Sequence, residues 1–356
     1  MTKPFDGKRI LITGGTGSLG KTLARRILSG VHGAPERVVI FSRDEAKQHD
    51  MRMMYLQRRV ATDEIIYENF QRTLEFVIGD VRDLEVVRGA CQGIDIIFNA
   101  AALKQVPSCE YFPFEAVQTN VVGAENLIRA LRTTPNDVTH VIGISTDKAC
   151  KPVNVMGMTK AIQERLFIAA GITSDTTSYV CARYGNVLAS RGSVIPLFHD
   201  QIRSGGPVTI TDERMTRFLL SLEDAVDTIV AAVSDGAPGE IFIPTAPAAK
   251  VTDIAEVLIG DRDIETRVTG IRPGEKLHES LVSEEEALRT VRKGDYFAIR
   301  PMLAELGGGL VEDAAVDGEF SSDRFLVDLE GTRDLLGRNR LLLDDAAGLD
   351  EGEMLR

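Results

Sequence analysis

Thr13-Gly-Gly-Thr-Gly-Ser-Leu-Gly20 is the stretch that decides the fold. It follows an apolar run, Arg9-Ile-Leu-Ile-Thr13, and opens an amphipathic segment. Gly14, Gly17 and Gly20 permit a tight turn and bring backbone close to a pyrophosphate. A helix starting here presents free N–H groups and a partial positive charge to that anion. Glycine-rich turns alone are common. This one sits between a strand and a helix at the head of a βαβ unit, so Gly14, Thr16, Gly17, Ser18, Leu19 and Gly20 are expected to hold a dinucleotide.

Working outward, the first two-thirds of the chain alternates apolar runs with amphipathic stretches. The further runs are Arg37-Val-Val-Ile-Phe41, Leu74-Glu-Phe-Val-Ile78, Ile94-Asp-Ile-Ile-Phe98, His140-Val-Ile-Gly-Ile144 and Ser178-Tyr-Val-Cys-Ala182. Near-continuous apolar runs suit strands buried on both faces. Their alternation with helices predicts an α/β fold with a doubly wound parallel sheet. After Arg183 the pattern shortens and turn signals appear, such as Ser204-Gly-Gly-Pro207 and Arg272-Pro-Gly274. We therefore expect residues 1–190, with a returning segment at about 220–245, to form the dinucleotide-binding domain. Residues 191–219 and 246–335 would form a smaller substrate-binding domain. Residues 336–356 read as a flexible tail, and no internal repeat is present.

The 356 residues, 44% of them hydrophobic, can support both domains. No run reaches the ~18–20 apolar residues of a membrane span. Residues 1–7 are polar, without a basic-then-apolar leader, so a cytoplasmic protein with no membrane partner is expected. A net charge of −12 argues against nucleic acid as a partner, because phosphate contacts want a basic face. The four cysteines, Cys91, Cys109, Cys150 and Cys181, lack metal-ligand spacing and read as reduced thiols, with no metal site.

The end of the second run selects the dinucleotide. It reads Ser42-Arg-Asp-Glu-Ala-Lys47. Ser42 and Arg43, with Lys47 a turn further on, suit the 2′-phosphate of NADP. Asp44 would instead serve the ribose of NAD. NADP is the expected cofactor and NAD the lesser alternative. Asp80 and Val81 follow the third run, where an acid can bond adenine. Asn99-Ala-Ala-Ala102 follows the fourth, and small side chains at Ala100, Ala101 and Ala102 let backbone approach the cofactor.

The fifth run leads into Ser145-Thr-Asp-Lys-Ala149, followed by Asn154-Val-Met-Gly-Met-Thr-Lys160. The chain resembles the extended short-chain dehydrogenases/reductases with a Rossmann domain, which hold a Ser/Thr and a Tyr-x-x-x-Lys here. Lys160 is present, and Met156 occupies the tyrosine position. More narrowly, the chain resembles the soluble UDP-N-acetylglucosamine 4,6-dehydratases of polysaccharide biosynthesis. The matching segments are residues 13–20, 42–48 (SRDEAKQ), 79–83 (GDVRD), 101–107 (AALKQVP), 145–149 (STDKA), 183–187 (RYGNV), 190–196 (SRGSVIP), 215–218 (MTRF) and 271–279 (IRPGEKLHE). Met156 and the AALKQVPSCE wording are closest to the capsule and O-antigen branch, which inverts C5.

The resemblance implies a mechanism. The C4 hydride leaves for NADP, the resulting ketone acidifies C5–H, a base and an acid expel water, and the hydride returns to C6. Asp147 would be the acid and Lys148 the C5 base, with Asp147 protonated and Lys148 neutral near pH 7. Burial would push both groups that way. Thr146 would bond the sugar O4, Lys160 would hold the nicotinamide ribose, and Met156 would only pack. Also by resemblance, Lys104 would approach the sugar or cofactor. Asn186, Ser190, Arg191 and Val194 would meet the sugar nucleotide, and Thr209 the uracil or ribose. Arg272 would hold the diphosphate and Glu275 the uridine ribose. Arg183 and Arg217 fit substrate contact and scaffold pairing equally well. The implied partners are a UDP-N-acetylhexosamine and further copies of the chain, as a dimer or hexamer. A C5-retaining dehydratase, a UDP-sugar epimerase and a non-catalytic NADP-binding protein remain as alternatives.

Overall fold

The computed structural model describes residues 3–57, 71–188 and 193–343. The apolar runs become β1 (Arg9–Thr13), β2 (Arg37–Ser42), β3 (Leu74–Ile78), β4 (Ile96–Asn99), β5 (His140–Thr146) and β6 (Ser178–Tyr184). Five of them have buried interiors as a two-faced sheet requires: Ile10, Ile12, Val38, Ile40, Ile97, Phe98, Val141, Ile142 and Val180 are all closed to solvent, whereas β3, at the sheet edge, is half-buried to exposed. All their pairings are parallel, in the order β3-β2-β1-β4-β5-β6. This is the doubly wound arrangement, and its strand order reverses between β1 and β4. Thr13 pairs with Phe41 on one side and Asn99 on the other, so the carboxyl ends of β1, β2 and β4 lie level.

The remaining strands are β7 (Val208–Ile210), β8 (Thr216–Phe218), β9 (Ile241–Pro244), β10 (Ala248–Lys250), β11 (Thr266–Val268), β12 (Ser280–Val282), β13 (Thr290–Lys293), β14 (Tyr296–Ile299) and β15 (Phe320–Ser321). The returning segment supplies the helix Leu222–Asp235 and β9, which joins β6 in parallel. Residues 290–299, expected in the smaller domain, lie elsewhere. They extend the main sheet, β14 antiparallel to β9 and β13 antiparallel to β14, giving it nine strands among the described residues. The physical reason is burial: Ala298 and Ile299 are closed to solvent on the main core.

A second core gathers Ile195, Phe198, Val208, Ile210, Ile254 and Leu258 with Leu336 and Leu341. The expected flexible tail therefore begins as packed structure. The helix Leu329–Arg338 lies against the helix Val251–Ile259, and Leu341 is buried with its carbonyl 2.9 Å from His199 Nε2. Residues 344–356 lie outside the described residues.

Arg183 settles as scaffold. Its buried guanidinium binds Glu164 of the helix Val155–Ile172 and Glu286 of the helix Glu284–Ala287, each at 2.7 Å. It also donates to the Leu281 carbonyl at 2.9 Å. One buried cation thus has two carboxylates and a carbonyl, which offsets the large cost of removing it from water. No helix among the described residues is long and apolar enough to cross a membrane.

Candidate active site

The first βα turn has the shape that its glycines imply. Gly14 takes φ +66°, a conformation that side chains disfavour, and a Cβ there would sit 2.8 Å from the Ala100 carbonyl and Ala101 backbone. Gly17 caps the helix Ser18–Leu28 without a side-chain hydrogen bond, and the first turn carries no acid. Ser18, Leu19 and Gly20 form that first turn. Free N–H donors and close backbone therefore fit a dinucleotide pyrophosphate.

At the end of β2, Ser42 Oγ lies 2.9 Å from Thr16 Oγ1. Asp44, the residue that would serve NAD, is occupied. It accepts the Lys47 backbone N–H at 3.0 Å and pairs with Lys47 Nζ at 2.7 Å, and these contacts hold its carboxyl below the usual range. The Arg43 side chain is 57% exposed, with Asp80 3.7 Å away. Asp80 is gripped by Arg82 at 2.7 Å, and although burial works against its charge, these contacts keep its carboxyl below the ordinary value. Val81 is buried, its carbonyl accepting from Asn126 Nδ2 at 3.1 Å. Ala102 and the exposed Lys104 continue the loop after β4.

The chemical centre lies where β5 ends. Thr146 Oγ1 donates to Asp147 Oδ1 at 2.8 Å, and Lys148 Nζ donates to the same oxygen at 3.0 Å. Lys148 also donates to Asn186 Oδ1, just after β6, at 3.2 Å. Its second anionic partner is Glu279, at 3.2 Å. Asp147 is closed to solvent, and its Oδ2 has no hydrogen-bond partner among the described residues.

The expectation of a neutral Lys148 needs correction. Burial pushes its ammonium toward losing the proton, but Asp147 and Glu279 together outweigh burial, and the net shift is upward. Two carboxylates around one amine retain its proton.

The helix Val155–Ile172 packs its amino end on the 147–149 turn. Asn154 caps it by accepting from Gly157 N at 2.8 Å. Lys160 is buried on this helix, donating to Gln163 Oε1 at 2.6 Å, and burial lowers its pKa to about 8. Met156 is buried in a small apolar cluster with Cys109 and Ala116. That is a packing environment for a thioether.

The segment around residues 272–279 meets this centre. Arg272 is exposed at a turn in which Glu275 N donates to the Arg272 carbonyl at 3.1 Å. Asn154 Nδ2 donates to Gly274 O at 2.8 Å, so the turn docks on the cap of the Lys160 helix. Arg217 clamps the Thr216, Lys276 and Leu277 carbonyls, and is thereby scaffold with a charge facing Lys148. Thr209 accepts from Gln201 Nε2 at 2.7 Å, and Val194 opens the helix Val194–Arg203. Ser190 and Arg191 lie outside the described residues. Among the described residues no group of three or more His, Cys, Asp or Glu could hold a metal, and all four cysteines are free and buried.

Sequence reading missed two residues here. Glu279 closed a quoted motif without a role, because its burial depends on distant strands. Asn120 sits in a π-helical segment, Val117–Val122, fully buried. It bonds both backbone groups of Leu103 and donates to Thr159 Oγ1 at 2.9 Å, joining the loop after β4 to the Lys160 helix. A π segment is a frequent marker of a functional site.

Residues 10–301 match the polysaccharide biosynthesis protein family. A protein named UDP-glucose 4-epimerase from Rickettsia conorii is 46% identical over 300 residues, covering 83% of each chain. Among solved structures, Pen from Bacillus thuringiensis is 34% identical, with TM-score 0.83, over 95% of this chain and 99% of its own. DesIV from Streptomyces venezuelae, a dTDP-glucose 4,6-dehydratase solved with NAD and TYD, is 21% identical, with TM-score 0.64, over 93% of this chain and 98% of its own. That last likeness speaks for the fold alone.

Proposed function

The chain belongs to the polysaccharide biosynthesis protein family, and from that premise we propose that it is an NADP-dependent UDP-N-acetylglucosamine 4,6-dehydratase that inverts C5 and works as a homo-oligomer. The observation that carries this reading is the Thr146–Asp147–Lys148 group at the end of β5, within hydrogen-bond reach of one another and largely shut from solvent. Bound NADP supplies the hydride acceptor for C4 and the donor for C6. Gly14, Thr16, Gly17 and the first turn after Gly17 hold its pyrophosphate. Ser42, Arg43 and Lys47 hold the 2′-phosphate, a choice supported by the prior commitment of Asp44 to Lys47.

Thr146 fixes the sugar O4. Lys148 takes the C5 proton, and the C5–H electron pair becomes the C5–C6 π bond as the C6–O bond breaks. Asp147 takes up a proton from solvent as the substrate enters and gives it to the departing hydroxyl, which leaves as water, while the C4 hydroxyl proton goes out to solvent in its place. Arg272 anchors the diphosphate and Glu275 the uridine ribose, with Lys104, Asn186, Ser190, Arg191, Val194 and Thr209 around the sugar nucleotide. Lys160 holds the ribose of the dinucleotide and provides an exit for the C4 hydroxyl proton, a task Met156 has no atom to perform.

A second reading, a UDP-sugar 4-epimerase, draws on the name of the Rickettsia relative. Epimerisation removes and returns the C4 hydride and leaves C5 and C6 untouched. It gives no work to a buried Asp–Lys pair beside Thr146. The test is to divide the reaction. Lys148→Ala should bind UDP-N-acetylglucosamine but fail to exchange C5–H in heavy water. Asp147→Asn should keep C5 exchange while water loss slows about 10²–10⁴-fold, the usual worth of a general acid. Exchange at the wild-type rate in Lys148→Ala removes Lys148 as base.

A further inference from the structure

Glu279 precedes β12 and is 2% exposed. A carboxylate buried that far must be paired, or it is costly. One oxygen faces Lys148 Nζ at 3.2 Å, while Oε2 finds no partner among the described residues. The backbone is fixed from the far strand: Glu279 N donates to Ser322 Oγ at 2.9 Å, and Ser322 N donates to Glu279 O at 2.8 Å. Ser322 Oγ is in turn 2.6 Å from Thr216 Oγ1. The carboxylate is therefore held in place with acceptor capacity to spare. An unsatisfied buried polar atom calls for a reason.

Among the described residues, three charged groups act most strongly on Lys148 Nζ. Asp147 comes from the end of β5, Glu279 from the approach to β12, and Arg217 from β8, while neutral Asn186 comes from the segment after β6. Asp147 Oδ1 already accepts from Thr146 and Lys148. Lys148 starts as an ammonium, and a C5 base must be an amine. Building on the dehydratase reading, we propose that Glu279 is a positioning residue that stores the Lys148 proton during turnover. When the sugar nucleotide displaces water, an N–H bond of Lys148 breaks and an O–H bond forms on Glu279. The ion pair becomes a neutral amine and a neutral carboxylic acid, with total charge unchanged. Exclusion of water favours the uncharged pair. Lys148 then takes the C5 proton and returns one to C5, and Glu279 gives its stored proton back when product leaves.

The test has two arms. Acylation of Lys148 by acetic anhydride, followed by peptide mass spectrometry across pH, reports when the amine loses its proton and needs no turnover. Glu279→Gln removes one of the two carboxylates, so the midpoint should fall by about one to three pH units. In the second arm, the pH limb of kcat for C5 exchange should move down with it while KM for the UDP-sugar stays put. A midpoint unchanged in Glu279→Gln overturns the proposal, as does a loss confined to KM or to thermal stability. If the Gln protein does not fold, Glu279→Asp carries the test, because a carboxylate withdrawn by one methylene must give a midpoint between the two, and an unmoved midpoint again overturns it. A wild-type chain that removes no water from UDP-N-acetylglucosamine sinks the dehydratase reading and the storage role with it, whereas an unmoved acylation midpoint in a chain that does remove water sinks the storage role alone.

Discussion

Arg43 and Lys160 show how much of the site single residues decide. The Arg43 guanidinium is mostly exposed and loosely paired with Asp80, so an arriving phosphate competes with a weak partner. Arg43→Ala should weaken NADP binding about 10- to 100-fold, the equivalent of one charge-assisted contact of roughly 1.5–3 kcal/mol, and leave NAD nearly unchanged. Titration calorimetry with both dinucleotides checks this, and equal losses would reject the 2′-phosphate assignment. Lys160 adds a pH dependence. Burial lowers its pKa from 10.5 to about 8, so the folded chain favours the neutral amine. The sign follows: protonated Lys160 weighs against folding below about pH 8, and that burden lifts as pH rises from there toward the unfolded value. As acceptor of the C4 hydroxyl proton, it should make C4–H cleavage faster as pH rises through about 8. Substrate deuterated at C4 isolates that step, and Lys160→Met should flatten the profile at a lower rate. Asp147 and Lys148 were legible from the sequence because they stand next to one another at a strand end. Glu279 was not, because its neighbours come from β5, β8 and the Ser322 segment, and no local pattern encodes that meeting.

Between elements, the contact that matters most is the Lys160 helix on the turn at residues 147–149. Gly157 makes it possible: a Cβ there would lie 2.1 Å from the Lys148 carbonyl oxygen, a backbone atom that cannot swing aside. Gly157→Ala should force helix and turn apart. The expected cost is roughly 1–3 kcal/mol of stability, typical of overpacking, read as a lower melting temperature. C5 exchange should fall further than dinucleotide affinity, because the glycine-rich turn lies on another strand. Unchanged exchange would show that this seam does not set the geometry. The strands that carry this seam could be read because β5 and β6 are buried on both faces and spell out apolar runs. The strands β7, β8 and β10–β12, of three residues each, are too short for any period, and only pairing defines them. The helix Leu329–Arg338 and the buried Leu341 went unread for a related reason: their apolar residues are spaced among charges, and the second core supplies the partner.

In the whole molecule the proposed site draws on segments far apart in the chain. In the proposed site, Gly14, Thr146, Asp147 and Lys148 stand at the ends of main-sheet strands, Lys160 on the helix Val155–Ile172, and Arg272, Glu275 and Glu279 on the segment that leads into β12. The Asn154–Gly274 and Lys148–Glu279 contacts join them. Composition and alternation made the parallel strands β1–β6 legible, since a doubly wound sheet is a repetitive pattern of apolar runs. The edge strands β13 and β14 escaped because they return late in the chain to a sheet begun much earlier, a long-range pairing that local sequence does not announce. The bringing together of an acid–base pair beside Thr146 is the central claim, and its direct measurement is a wild-type incubation with UDP-N-acetylglucosamine in heavy water, read by NMR and mass spectrometry. The expected product has lost one water, carries a C6 methyl and a C4 ketone, and holds deuterium at C5 in the L-arabino configuration. A product of unchanged composition, epimerised at C4 and free of deuterium at C5, would contradict it.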